Sequence, residues 1–275
     1  MSHIESHRER SGRYDPMSMS RPPHIPGSIH HRVMFSDLGG CVPPQLITIE
    51  GPEAQHLARV KRARVGELVG VLDGRGAVGV GEIAEISGSK QRPIVAVMLD
   101  RVMMVGPTSP GIDICCPAPK GDRLERMIDQ LTQIGVESWT PLVTQRSERD
   151  PATVRADRLE RIIHEASKQC IRARALVVRE PMNLNEAVNA QGSIRVCACD
   201  ASGEGALSSE DIGSQGRVLI GPEGGWADDE LALFNDTGTP ICRLGVHVLR
   251  LESAAVVAAS LVLCNARSPN PFGDE

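Results

Sequence analysis

The chain changes texture at residues 104–111, and that change limits its possible folds more than any other feature. Before it, from Arg32 to about Val102, apolar residues come in short strand-like runs: 46–49, 68–72, 78–86 and 94–99, with Asp73-Gly74 and Gly76 as turns. Only one helix is expected there, from Glu53 to about Arg62, with Leu57 and Val60 facing inward. Gly106, Pro107, Pro110 and Gly111 then break the pattern, as an interdomain linker does. Beyond them, strands near 112–116, 139–143, 194–199 and 218–220 alternate with helices near 124–134, 157–170 and 227–234. Alternation of this kind requires a parallel sheet covered by helices on both faces, because parallel neighbours need a crossover connection.

The expected organisation is therefore a disordered tail at 1–30, a small β-barrel or sandwich at 31–103, a linker at 104–111, an α/β domain at 112–267 and a C-terminal tail at 268–275. The first tail is rich in His, Arg, Ser and Pro and has almost no apolar periodicity. In the α/β part, Asp122 with Glu125 three residues on has the form of a capping box, and Gly135 has the form of a helix stop. No run of about 18 apolar residues exists and the first thirty residues lack a signal-type apolar stretch, so the chain is expected to be cytoplasmic, with no membrane partner. The eight cysteines show no paired C-x-x-C spacing, and Cys115, Cys116, Cys197 and Cys199 read as small buried residues with no metal to hold.

Composition narrows the partners. Aromatic residues are 2% of the chain, six in all, which excludes rows of base-stacking platforms for single-stranded nucleic acid. The net charge of −5 excludes a general basic coat. Nucleic acid would then be held by local patches, and the expected one is Arg59, Lys61, Arg62 and Arg64, with Arg32 nearby; a solvated charged face is the other reading of the same residues.

Two loops carry the chemistry. The strand ending at Ile220 runs into Gly221-Pro222-Glu223-Gly224-Gly225-Trp226 just before a helix, the place where ligands sit in α/β sheets. It matches neither G-x-G-x-x-G nor a Walker loop, so neither a dinucleotide nor a triphosphate is indicated. The second is Leu244-Gly245-Val246-His247-Val248-Leu249-Arg250-Leu251-Glu252, followed by a helix at 254–264 that is apolar almost all round and expected to be buried, in part against a second subunit.

Together these segments resemble the SPOUT-class methyltransferases, most closely the RsmE family that methylates N3 of a uracil in 16S ribosomal RNA. The likeness runs from about Arg32 to Cys264 and rests on the 219–225 and 244–252 runs. Weaker marks are Asp73-Gly-Arg-Gly76, Lys120-Gly-Asp122 and Glu165-Ala-Ser-Lys-Gln169 with Arg172. The resemblance implies a PUA-like N-terminal barrel, a C-terminal α/β domain tied in a trefoil knot, S-adenosylmethionine as cofactor, 16S rRNA within the assembled small subunit as partner in place of DNA, and a homodimer. Carried over, the cofactor residues would be Leu219, Gly221, Pro222, Glu223, Gly224, Gly225, Leu244, Gly245 and Leu249. Arg250 would stabilise negative charge on the uracil, Glu252 would orient Arg250, and Arg172 would hold RNA phosphate or the target base. Three positions depart from the family pattern: His247 for arginine, Ser253 for threonine, and Ile171 for the glycine before Arg172. The alternatives are methylation of another RNA, such as a tRNA ribose hydroxyl, and a non-catalytic RNA-binding or ribosome-assembly protein of the same fold.

Overall fold

The computed structural model describes residues 29–190 and 192–266. The expected tails therefore lie outside the described residues, apart from Ile29 and His30.

The first unit is a sheet of β1 (His31–Met34), β2 (Gln45–Ile49), β3 (Leu68–Leu72), β4 (Ala77–Gly88) and β5 (Pro93–Met104), in the order β1-β3-β4-β5-β2. Its pairs are antiparallel except β1 with β3. Register shifts at Val80/Gly81 and Ile83/Glu85 bend the long β4–β5 ribbon. The sheet thus wraps so that Val33 from one edge and Ile47 and Ile49 from the other share a single core. Between β2 and β3 lies α1 (Gly51–Gln55), continued by one π-type turn over His56–Val60. Leu57 is buried as expected, but Val60 is 68% exposed. The π turn turns Val60 outward, because the Lys61 amide bonds to His56 O, five residues back, and the wider turn rotates the face away from the core.

The second unit contains β6 (Gly111–Cys116), β7 (Ser138–Val143), β8 (Val177–Val178), β9 (Met182–Asn183), β10 (Arg195–Cys199), β11 (Gly205–Ala206), β12 (Gln215–Ile220) and β13 (Ile241–Arg243). The order is β11-β13-β10-β12-β6-β7-β8, with β9 also on β7, and every pair is parallel. The helices α2 (Arg123–Ile134), α3 (Ala156–Cys170) and α7 (Leu251–Leu263) pack on one face around Ile114, Trp139 and Val218. On the other face, α4 (Leu184–Val188) and α6 (Asp228–Thr237) cover Cys115, Ala198 and Leu219. The short α5 (Ser209–Ile212) precedes β12. Cys115, Cys116, Cys197 and Cys199 are buried in this sheet, and burial pushes the Cys116 thiol up to about 12, so these thiols stay neutral.

Gly135 ends α2 in the left-handed region, at φ 106°. The capping box at its start does not form. Asp122 is itself helical (φ −72°, ψ −9°), so its carboxylate cannot turn back onto the first amides and pairs with Arg126 at 2.5 Å, while Glu125 pairs with Arg158.

Backbone and side chain stitch the two units together. The Gly76 amide donates to Ala173 O (3.1 Å) and the Ala175 amide to Gly74 O (2.8 Å), while on the barrel side the Val105 amide donates to Gly76 O (2.8 Å). Gly76 has φ 116°, and a Cβ there would lie 2.9 Å from both the Arg174 guanidinium and Val105 O, so only glycine admits the crossing. Asp73 Oδ1 fixes the turn by accepting from the Arg75 and Ala77 amides. Further along the seam, the buried Lys168 ammonium of α3 lies 2.8 Å from Glu53 of α1 and 2.8 Å from Glu165.

Candidate cofactor pocket and nucleic-acid interface

Three parallel strands end side by side, and the chain leaving each one forms a wall. Cys199, Asp200 and Ala201 follow β10, Gly221 to Trp226 follow β12, and Leu244 to Leu249 follow β13; with Leu251 and Ala254 of α7 they enclose a pocket of about 390 Å³. Parallel strands place their carboxyl ends on one edge, which is why loops far apart in sequence meet here.

The β12 wall is rigid. The Gly225 amide closes a turn onto Pro222 O (2.9 Å), with Gly225 at φ 70°. Beneath the turn the Trp226 indole donates to Cys199 O (3.0 Å) and meets Phe234 edge-on, with ring centroids 5.0 Å apart. Gly221 leaves room for that indole, since a Cβ would come within 3.0 Å of it. From the loop after β7, Arg146 donates to Gly224 O (2.9 Å) and Trp226 O (3.0 Å), and Glu230 accepts from the Gln145 amide (2.9 Å) and the Ala227 amide (2.8 Å).

The β13 wall is open. Val246 and Val248 are each 90% exposed, and among the described residues no amide from Gly245 to Leu249 bonds to another backbone group. The pocket thus offers leucine and valine side chains, free backbone polar groups and the carboxylates of Asp200 and Glu223. Such a donor set fits a molecule that joins a planar heterocycle to a cationic tail.

Of the expected cofactor residues, Gly221, Pro222, Glu223, Gly225, Leu244, Gly245 and Leu249 line this pocket. Two do not. Leu219 is fully buried on the opposite face of the sheet, and Gly224 turns toward Arg146, whose side chain a Cβ would touch at 3.4 Å. The sequence reading missed Asp200, Trp226 and His247 on the wall, and Arg146 behind it. Asp200 had a signal, as the residue after a strand parallel to the other two; Arg146 had none, being 78 positions from its partner.

The charged residues are rearranged. Glu252 does not orient Arg250: its carboxylate lies 3.7 Å from Arg123 at the start of α2, and Arg123 also reaches Glu223 at 3.4 Å. Arg250 is exposed and serves as the N-cap of α7, its carbonyl accepting from Ala254. Arg172 does not line the pocket. Its guanidinium donates to Thr132 O (2.8 Å), Val136 O (2.5 Å) and Arg174 O, tying off the end of α2 where helix carbonyls lack partners. Burial pushes its pKa down to about 10. Arg59, Lys61, Arg62 and Arg64 are all exposed on and after the π turn, and Arg32 is half-buried in β1.

With this geometry in place, residues 107–263 match the family model described as an RNA methyltransferase domain, and residues 49–91 match the RNA methyltransferase PUA domain. The ribosomal RNA small subunit methyltransferase E of Mycobacterium bovis is 31% identical over 228 residues, covering 78% of this chain and 84% of the relative. The chain belongs to the ribosomal RNA small subunit methyltransferase E family. A second member, from Synechocystis sp., is 26% identical over 223 residues, covering 78% of this chain and 72% of the relative. Among solved structures, a putative methyltransferase from Legionella pneumophila with bound S-adenosylmethionine aligns with TM-score 0.70 and 26% identity over 86% of this chain and 98% of that one. The parallel α/β sheet and PUA domain expected from the resemblance are those of the family, and the pocket of this methyltransferase lies at the glycine loops that suggested it.

Proposed function

We propose that the protein uses S-adenosylmethionine to methylate N3 of a uridine in small-subunit ribosomal RNA. The observation that carries the reading is the pocket, formed by three parallel strand ends in a chain of this family and bounded by one braced glycine loop and one open loop. In this reading Leu244, Val248 and Leu249 enclose the flat adenine, and Asp200 and Glu223 face the cationic tail. S-adenosylmethionine, when bound, supplies a methyl group already activated by its sulfonium. The protein's remaining task is alignment and charge management at the acceptor. Losing the N3 proton spreads negative charge over the uracil oxygens, and Arg250 at the lip of the open loop is the cation assigned to it. The exposed row Arg59, Lys61, Arg62 and Arg64 supplies phosphate contacts on the barrel.

The RNA is taken to be met within the assembled small subunit, in the cytoplasm; among the described residues no helix is long and apolar enough to cross a membrane. The enzyme is taken to act as a homodimer, which would cover the half-exposed Val256, Val257 and Leu261 of α7 and the exposed Val246 and Val248. The unit boundaries assigned are 31–103 and 112–267.

The test is methyl transfer from labelled cofactor into small subunits lacking the modification, with mass mapping of the labelled nucleoside. The expected result is label on uracil N3, lost in Arg250→Ala while calorimetric cofactor binding is kept. Label on a ribose, or no label with cofactor binding intact, would overturn the reading.

A further inference from the structure

We infer that Arg123, the first residue of α2, is a positioning residue for the cofactor pocket, acting as a countercharge that couples the glycine loop after β12 to the start of α7. The inference rests on the cofactor reading given above.

One nitrogen, Arg123 Nη1, faces two carboxylates at once, Glu223 at 3.4 Å and Glu252 at 3.7 Å. These belong to different loops. Glu223 lines the pocket, whereas Glu252 lies in the first turn of α7 just beyond the open loop. Glu252 Oε2 is shielded from solvent and has no hydrogen-bond partner, so Arg123 is the charge that compensates it. The arginine is aimed by its own neighbourhood: its Nε donates to Lys120 O at 3.3 Å, and the nearby acids are engaged elsewhere, Asp122 with Arg126 and Glu125 with Arg158. The pocket wall on the β12 side is held from behind by Arg146 and Glu230, whose hydrogen bonds go to the Gly224 and Trp226 carbonyls and to the Gln145 and Ala227 amides, not to the Glu223 side chain or α7. Arg123 is the described residue that spans the two.

Without it, neither carboxylate keeps an ion-pair partner among the described residues. Like charges repel, and the one with room to move is Glu223, which is 34% exposed against 17% for Glu252. Glu223 then leaves the pocket, and the carboxylate available to the cationic tail goes with it. Because both contacts use a single nitrogen, a lysine ammonium can replace much of the function, which it could not do at a two-pronged arginine site.

The experiment is calorimetric binding of S-adenosylmethionine to wild type, Arg123→Met, Arg123→Lys, Glu252→Gln and the Met/Gln double variant, with thermal unfolding of each. Arg123→Met is expected to weaken binding about tenfold, corresponding to roughly 1.4 kcal/mol, measured well below a melting temperature that falls because Glu252 is left uncompensated and that Glu252→Gln restores in the double variant. Arg123→Lys should recover most of that loss. The double variant should bind better than the product of the two single losses predicts, since removing the Glu252 charge relieves the repulsion. Wild-type or tighter binding by Arg123→Met, multiplicative losses in the double variant, or a lysine variant as weak as the methionine one would overturn the inference. Failure of the wild type itself to bind the cofactor would instead overturn the functional reading on which it stands.

Discussion

Replacing Arg172 by methionine separates a structural role from an RNA-binding one. The side chain lies at the junction of α2, α3 and the segment that crosses to the barrel, and its three donor nitrogens serve three carbonyls, on Thr132, Val136 and Arg174. Thr132 and Val136 are fully buried. Methionine keeps much of the apolar stem but donates nothing, so the three acceptors are stranded. An unsatisfied buried acceptor costs about 1–3 kcal/mol, and with partial access of water the sum comes to about 4 kcal/mol. At about 2–4 °C per kcal/mol for a protein of this size, the melting temperature should fall by roughly 8–16 °C. Lysine, with a single ammonium, should recover only part of the loss. Thermal unfolding followed by circular dichroism reads the effect directly, and RNA affinity measured well below the transition should be almost unchanged. An Arg172→Met protein that melts with the wild type but has lost RNA affinity would refute this reasoning and restore the RNA contact expected from sequence.

The adjacent Ile171 sits in the left-handed region at φ 59°, where a β-branched residue costs about 1–2 kcal/mol, so Ile171→Gly should raise the melting temperature, net of the entropy glycine loses. Lys168 is pulled down by burial, but hydrogen bonds to Glu165 and Glu53 outweigh this and raise its pKa. A raised folded value means that its stabilisation is complete below the unfolded lysine value of about 10.4 and is lost as pH rises through the folded one. Lys168→Met should therefore melt well below wild type near neutral pH, by about 3 kcal/mol, and the gap should close in alkaline buffer. Changing Arg59, Lys61, Arg62 and Arg64 to glutamine should weaken RNA binding and flatten its dependence on log salt by about 3 if each meets one phosphate; an unchanged slope would leave them as a solvated face.

The long elements were legible because their apolar runs are long enough to show a period: α2, α3, the parallel strands β6, β7, β10 and β12, and the β4–β5 ribbon. The two- and three-residue strands β8, β9, β11 and β13 have no period to detect, although β13 carries one wall of the pocket. Capping patterns misled in both directions. Asn183 with Glu186 forms a reciprocal cap at α4, which was not expected, whereas Asp122 with Glu125 fails, because a cap depends on the backbone angle of its first residue as much as on spacing. At the site, glycines marked the loop after β12 well, since close packing of Gly221 against Trp226 and the positive φ of Gly225 demand them, whereas Gly245 in the loop after β13 meets no such demand. The charged partners were illegible: Arg123 and Glu223 are 100 positions apart, and only the folded sheet brings them together.

The seam between the units has a consequence for substrate choice. An RNA-gripping module on a slack tether raises local concentration and accepts many partners, since the tether adjusts to each. Here Gly74 and Gly76 are hydrogen-bonded across to Ala173 and Ala175, and Lys168 closes the seam further along, so the cationic row and the cofactor pocket keep one offset. On the RNA-binding role proposed for that row, the molecule would work as a caliper. An RNA whose phosphates and target base stood at another separation would not satisfy both jaws, however well its sequence matched, and selection would fall on the tertiary shape of the folded RNA.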